Sequence, residues 1–407
     1  MLKKTGRDRE KTGVIGRKSK KRLKVLVVNY EFPPLGGGGG LAARDLAIEW
    51  VKGAEVHVLT SWLKGLPFYE EVNGIHVHRT RIILRKSMDV ATFVSMLSYL
   101  VFGIFKGVRL CGKHRFDVIN THFAVPSGPL GYVLSRFFRI PNVLSLHGGD
   151  IYDPSEKNSP HKHWFLKRAV RFIINRADRI VAQSGNTRDN ALTYYGPSQD
   201  VSIIPLAFHP PRVRKASRSE LGIGRDEFVL ITIGRLIRRK AIDTMINALA
   251  KLPDKNITLY IVGDGPEREF LSSLADQMGL RERVVFLGHV EDKEKFSYLS
   301  VADLFVSTSL HEGFGIVFLE AMHFGIPIVC SNYGGQVDFL ADGENALLIG
   351  AGDVTACASS VRRFHKDRVL YARCARNNMK KVRDFYADSV ARRYMDMFTA
   401  LSTRGEE

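Results

Sequence analysis

DLFVSTSLHEGFGIVFLEAMHFGIPIVCS, residues 303–331, decides the fold. DLFVSTS (303–309) is a β-branched, apolar run of strand length. IPIVCS (326–331) is another, and Gly325 and Pro327 stop whatever lies between, so the intervening helix is short, roughly 315–324. A strand, a glycine-bearing loop, a short helix and a second strand make one turn of a parallel sheet. Within it Glu312 and Glu320 bracket Gly-Phe-Gly in otherwise apolar surroundings, so each acid must be solvated, paired or used.

The same cadence runs outward in both directions. FVLITIG (228–234), ITLYIVG (257–263) and RVVFLG (283–288) precede it, each followed by a turn and a helical run. Upstream come LKVLVVNYEF (23–32), a helical pattern at LAARDLAIEWV (41–51), EVHVLT (55–60), FDVINTH (116–122), NVLSLHG (142–148) and DRIVAQS (178–184). Between the two series, residues 203–222 are rich in Pro, Ser and Arg and read as a linker. Strand–helix alternation predicts α/β architecture with parallel sheets covered on both faces. The chain of 407 residues is long for one core, so two doubly wound, Rossmann-like domains facing a cleft are expected. The expected divisions are a basic tail over 1–22, a first domain over 23–205, a second over 206–385 and a last helix over 386–402. Ligands of such sheets bind beyond the carboxyl ends of the strands.

Apolar content of 45% and charged content of 25% fit a globular protein. The net charge is +18, and residues 1–24 carry eleven Lys/Arg against two acids, half of it. Such a tail is expected to be disordered and attracts any polyanion, nucleic acid or anionic lipid alike. The four cysteines have no metal-ligand spacing and no secretory signal precedes them, so reduced thiols in the cytoplasm are expected. VATFVSMLSYLVFGIF (90–105) carries no charge but is shorter than a membrane span. A buried core helix is the first reading, and a helix lying in a membrane surface the second.

Chemistry is expected in the loops after strands. Gly313 and Gly315 let a ligand approach the backbone, and the N–H groups of the following first turn, Gly315 to Phe318, form an anion site. Acids beside it suit hydroxyls rather than phosphates; the alternative is a solvated Glu312 and a Glu320 paired with a surface base. In GRLIRRK (234–240), Arg235 and Lys240 suit a diphosphate as fork and point charge, with Arg238 and Arg239 solvated. VGDGPERE (262–269) alone is a weak signal. FPPLGGGGGL (32–41) joins a strand to a helix and suits a phosphate or close-lying substrate. The following strand ends Leu59-Thr60-Ser61 without the acid that a nicotinamide dinucleotide would need. LSLHGGD (144–150) puts His147 and Asp150 past a strand, and His122 has a similar place.

GRLIRRK, VGDGPERE, FLGHV, the 312–320 glutamate spacing, HGGD, FDVINTHFAVPSG and FYADSVARRYMDMF occur together in this order. With them the chain, from about 23 to 402, resembles the family-4 retaining glycosyltransferases of GT-B architecture. The resemblance implies a last helix that crosses back to the first domain. It implies donor contacts from Glu320 to ribose, from Glu312, Gly313, Phe314, Gly315, Ile316 and Val317 around the sugar, and from Gly234, Gly263 and Asp264. Arg235 and Lys240 would take the diphosphate and His147 the donor sugar. Gly37, Gly38, Gly39, Gly40, Asp150 and His122 would lie on the acceptor side. Leu206-Ala207, Asp338 and Ala346 depart from the family's usual residues.

The expected activity is transfer of a hexose from a nucleotide-diphosphate sugar, UDP or GDP foremost, to a lipid-linked or glycan acceptor. No Asp-x-Asp occurs, so transfer without metal is expected, and no cofactor signature is present. The competing readings are a sugar-nucleotide epimerase or phosphorylase of the same architecture, and a non-enzymatic polyanion binder. Nucleic acid is not expected as a partner. The tail and residues 90–105 together predict a cytoplasmic enzyme, peripheral at an anionic membrane.

Overall fold

In the computed structural model, residues 22–85, 92–211 and 213–403 are described. Almost all of the basic tail, and the first two residues of 90–105, lie outside them. Eight strands form the first sheet: β1 (Leu23–Val28), β2 (Ala54–Ser61), β3 (Tyr69–Val72), β4 (Ile75–Thr80), β5 (Val118–His122), β6 (Asn142–Leu146), β7 (Arg179–Ala182) and β8 (Val201–Ile203). Six form the second: β9 (Phe228–Ile233), β10 (Ile257–Val262), β11 (Val284–Gly288), β12 (Leu304–Ser307), β13 (Ile328–Ser331) and β14 (Ala346–Ile349). The helices of the first half are α1 (Gly38–Trp50), α2 (Phe93–Lys113), α3 (Ser127–Phe138), α4 (Trp164–Ile174) and α5 (Gly185–Tyr195). Those of the second are α6 (Ile242–Ala250), α7 (Arg268–Gln277), α8 (Asp292–Val301), α9 (Ile316–His323), α10 (Val354–Lys366), α11 (Arg368–Lys381) and α12 (Ala387–Thr403).

The first sheet runs β3-β4-β2-β1-β5-β6-β7-β8 and the second β11-β10-β9-β12-β13-β14. Every pairing is parallel except β3 with β4. Strand order reverses between β1 and β5 in one sheet and between β9 and β12 in the other. At such a reversal the loops splay apart and leave a crevice. The expected α/β class and two doubly wound layers are therefore present.

Val25, Val27, Val56 and Val58 are buried under α1 and α12, while Leu26, Val28, Leu59 and Ile119 are buried under α2 and α3. This two-sided burial is why the strands read as continuous apolar runs rather than alternating ones. Helix α12 crosses back to the first half. Its Tyr394 and Phe398 pack edge-on against Trp50, whose indole N–H donates to the Ala391 carbonyl at 3.2 Å. The outgoing and returning segments touch where Phe208 N–H donates to Phe385 O and Ala387 N–H to Phe208 O, both at 2.9 Å.

Three local readings are corrected. Gly38–Gly40 are the first turn of α1 rather than loop, since later residues of the helix supply its packing. Strands β3, β4, β8 and β14 lack a long β-branched run and were not expected. Helix α2 is not a buried core helix: it turns Ser95, Ser98, Gly103 and Gly107 inward, while Phe93 and Phe105 are each 74% exposed. Small residues are needed inside because a Cβ on Gly103 or Gly107 would stand 2.7 Å from the methyls of Leu130 or Leu134.

Candidate functional site

The two reversal points face each other across a cavity of about 550 Å³. From the second half, the loop after β9 bends through Gly234, whose missing side chain leaves room for the Lys240 stem at 3.2 Å. Lys240 is the last residue of a 3-10 turn, Arg238–Lys240, and Ala241 closes that turn in the left-handed region at φ 46°. The loop after β12 delivers Glu312. Lys240 Nζ donates to its Oε2 at 2.8 Å and its Oε1 at 3.2 Å, and Arg239 Nη1 donates to Oε1 at 3.3 Å. Burial pushes the Glu312 carboxyl up, but Lys240 and Arg239 outweigh it and hold it below the usual carboxylate range. Arg239 also donates to the His311 carbonyl at 2.7 Å and reaches Asp153 of the first half at 3.4 Å. Arg239 is therefore part of this cluster rather than solvated. Arg235 is exposed on the same loop and does not line the cavity.

Helix α9 begins after Gly315 at φ 89°, a backbone geometry that favours glycine. Ile316 and Val317 line the cavity, and first-turn N–H groups of a helix have no intrahelical acceptor. Glu320 sits one turn further, buried and outside the cavity lining. Its Oε1 accepts from Lys295 Nζ at 2.8 Å, while its buried Oε2 has no partner. Burial raises its pKa against the pull of Lys295. Gly263 serves a backbone crossing, since a Cβ there would meet Gly234 O at 2.0 Å. Asp264 is mostly exposed and accepts from Gly265 N–H at 2.8 Å.

From the first half comes a different set. His147, after β6, is half-buried, stacked on the Phe123 ring with 4.2 Å between centroids. Its Nε2 lies 2.9 Å from His122 Nδ1, and its Nδ1 has no partner. Burial pulls His147 down to about 3 and His122 well below its ordinary value, so both rings are neutral. Asp150 accepts from His147 N–H at 2.9 Å and Ala124 N–H at 2.6 Å, which uses both oxygens to hold the loop. Burial raises it to about 6. Gly39 brings α1 onto this pair: a Cβ would stand 2.4 Å from Phe123 Cζ and 3.3 Å from His147 Nδ1. Gly38 approaches Ile316 of the second half, Gly40 packs on the Glu31 backbone, and a Cβ on Gly37 would face open space. The halves meet directly where a Cβ on Gly148 would lie 3.1 Å from Gly313 Cα.

The structure thus brings His147, His122, Gly38, Gly39, Lys240, Glu312, Gly313, Phe314, Gly315, Ile316 and Val317 to one place, and leaves Arg235, Gly263 and Asp264 at its margin. Arg239, Asp153, Gln183 and His311 were missed. Arg239 and His311 carry a readable signal, adjacency to Lys240 and to Glu312; Asp153 and Gln183 lie far from these motifs in sequence and meet them only through folding.

Residues 213–381 match the family model "Glycosyl transferases group 1" and residues 36–210 match "Glycosyltransferase Family 4". An uncharacterized glycosyltransferase of Methanocaldococcus jannaschii is 28% identical, over 92% of this chain and 98% of that one. The GDP-mannose-dependent alpha-(1-6)-phosphatidylinositol monomannoside mannosyltransferase of Mycolicibacterium smegmatis is 29% identical, over 83% and 88%. Among solved structures, sucrose-phosphate synthase of Thermosynechococcus elongatus superposes with a TM-score of 0.83 at 21% identity, covering 94% of this chain and 100% of that one. Anabaena HepE in complex with UDP-glucose gives 0.74 at 23%, covering 93% and 100%. These two likenesses establish the GT-B fold.

Proposed function

We infer, for a chain that belongs to the glycosyl transferases of group 1 and family 4, that its cleft moves a hexose from a nucleotide-diphosphate sugar to a hydroxyl of a lipid-linked or glycan acceptor. The observation that carries this reading is the Lys240–Glu312–Arg239 cluster beside the start of α9, facing neutral His147 across the cavity. Departure of a nucleoside diphosphate builds negative charge on oxygen and positive charge on the sugar ring. Lys240, the exposed Arg235 and the N–H groups of Ile316 and Val317 suit the phosphates. With the donor bound, Lys240 trades part of its contact with Glu312 for phosphate, which frees Glu312 to accept from sugar hydroxyls. The unpartnered Glu320 Oε2 suits a ribose hydroxyl, and unpartnered His147 Nδ1 suits a donor-sugar hydroxyl. The sugar is expected to keep its anomeric configuration through attack on the leaving-group face.

UDP and GDP are the favoured nucleotides, in keeping with the names of HepE's ligand and the mycobacterial relative. Thermal-shift screening against UDP-, GDP-, ADP- and dTDP-sugars tests this. A donor at ~100 times its dissociation constant adds ~2.7 kcal/mol of stability. No shift with any nucleotide sugar sinks the reading. Transfer is expected to persist in excess EDTA; loss restored by magnesium or manganese overturns the phosphate scheme.

The exposed apolar face of α2 supports an acceptor held at a membrane surface. Phe93, Leu97, Phe105 and, on α4, Trp164 expose large apolar surface on the first half, and the tail adds basic charge. Apolar insertion and basic attraction together hold a protein at an anionic leaflet where one signal does not. Full-length protein is expected to float with anionic liposomes at low salt, and much less without residues 1–22. Protein that stays unbound at low salt removes the membrane acceptor and leaves the transferase reading intact.

A further inference from the structure

At the opposite end of the first sheet from the cleft, four histidines and a glutamate crowd one pocket of about 690 Å³. Glu55 and His57 are two apart on β2, and His76 and His78 two apart on β4. Strand alternation therefore sends each pair to one face. The parallel register sets His57 beside His76. His114, the residue that ends α2, closes the group from above, with its ring centroid 4.5 Å from that of His57. Nothing in the transfer reaction uses these residues, and α2 separates them from the cleft. Met96 near its start lines the large cavity, and His114 lies eighteen residues on, ~27 Å along a helix at 1.5 Å per residue.

We propose that Glu55, His57 and His114 bind a zinc-class divalent ion that pins the end of α2 to the edge of the first sheet. One ligand atom from each lies within 4.8 Å of the others. His57 Nε2 is 3.0 Å from Glu55 Oε1, and His114 Nδ1 is 3.8 Å from the same oxygen. Ligand atoms ~2.0–2.2 Å from one tetrahedral zinc are themselves ~3.3–3.5 Å apart, so a small inward or outward shift of each side chain admits the ion. Two imidazoles and a carboxylate match zinc rather than magnesium or calcium, which take oxygen. Metal-binding imidazoles hold their other nitrogen by a hydrogen bond. His57 has that support ready: its Nδ1 lies 3.0 Å from His78 Nε2. On binding, the ion replaces the proton between His57 Nε2 and Glu55; that proton passes to Nδ1 and points at His78 Nε2, which gives its own to Nδ1. Each ring stays neutral.

Positive neighbours oppose the ion. Lys24 Nζ touches Glu55 Oε2 at 2.9 Å and Oε1 at 3.1 Å, and Lys106, Arg109 and Lys113 line the pocket. Lys24 competes most directly, through the ligand oxygen itself. A Lys24→Met variant is therefore expected to bind the ion more tightly than the wild type.

The experiment titrates full-length protein, stripped with chelator, with zinc chloride alone and follows calorimetry, thermal melting and, with cobalt(II), the ligand-field bands. One equivalent is expected to bind with micromolar affinity or better, to raise the melting temperature and to give a low-symmetry cobalt spectrum. His114→Gln, at a partly exposed position, is expected to weaken binding at least tenfold, and His57→Gln with His114→Gln to abolish the thermal shift. Far-ultraviolet circular dichroism and the melting temperature of the metal-free protein serve as the control for folding in each variant. No stoichiometric zinc uptake, unchanged affinity in His114→Gln, or stabilisation by inorganic phosphate in place of zinc each overturns the proposal. The outcome is independent of the transferase reading, since the donor site is ~27 Å away along α2.

Discussion

Around the carboxyl ends of β1, β5 and β6 the chain presents the imidazoles of His122 and His147 and glycine backbone; beyond those of β9 and β12 it presents Lys240, Arg239 and Glu312, all within ion-pair distance. Topology is shared and electrostatics are not. In the first half, burial is uncompensated, so His122 and His147 stay neutral. In the second, opposite charges are buried together, and Glu312 stays ionised despite its burial. A neutral wall and a charged wall suit a ligand with a sugar at one end and phosphates at the other. Loss of charge from the second wall should then damage the chemical step, and changes in pH should damage the first.

The largest effect is expected from the charged wall. Lys240→Ala is expected to slow transfer ~10²–10³-fold, mostly in turnover, because the cation counts most when leaving-group charge develops. Arg235→Ala is expected to do the same if the exposed guanidinium swings onto the diphosphate; single-turnover assays of both decide it. Wild-type turnover in both variants breaks the assignment of phosphate to this wall.

Acid separates the walls next. Burial depresses His147 and His78 to about 3 and His57 to about 4, all in the first half. A lowered histidine stabilises the fold fully above its unfolded pKa of ~6.5 and loses that contribution as pH falls through the folded value. Asp150, raised to about 6, acts the other way, its contribution fading as pH rises from ~3.9 through 6. The histidines outnumber it, so the first half weakens between pH 6.5 and 4; His311, His323 and His365 of the second half are lowered too, but by less, and cost it less there. Glu312, held low, stabilises above ~4.3 and gives way only below it. The three tryptophans, Trp50, Trp62 and Trp164, all lie in the first half. With chelator present, tryptophan emission is expected to report unfolding at higher pH than far-ultraviolet helix loss is complete. Coincident transitions break the comparison.

Glu320 tests whether the charged wall also holds the nucleoside. Glu320→Ala is expected to raise the donor KM about tenfold with little change in turnover, since a ribose contact is similar in ground and transition states. Glu320→Gln, which keeps an acceptor, should recover part of it. A donor KM unchanged in both counts against the ribose role.

Parallel strands covered on both faces write long β-branched runs, so β9, β10, β12 and β13 were legible, and so was the doubly wound class; the strand order that places the reversal was not. The pairing of Arg239 with Asp153 was not, because it joins two domains. Nor was the outward face of α2: its uncharged run reads as core, and only the Leu130 and Leu134 methyls against Gly103 and Gly107 explain which side is inside. The motif residues Lys240, Glu312 and His147 were legible as a set. That Glu312 rests in an ion pair was not, since pairing depends on loop closure.

The smallest effect concerns how Lys240 is presented. Ala241 sits at φ 46° and ψ 44°, and its carbonyl accepts from Thr308 Oγ1 at 2.7 Å, which ties the two loops of the charged wall together. A left-handed alanine costs ~1–2 kcal/mol, and glycine returns ~0.5–1 of that as unfolded-chain entropy. Ala241→Gly is therefore expected to stabilise the protein by up to ~1 kcal/mol, a rise of ~2–4 °C in melting temperature for a domain of this size. If the turn merely stores strain, turnover stays at the wild-type level. If the strained turn aims Lys240, turnover falls as the melting temperature rises, and Thr308→Val should mimic the fall without the gain. A lower melting temperature in Ala241→Gly would mean that the left-handed turn at the foot of Lys240 is not strained.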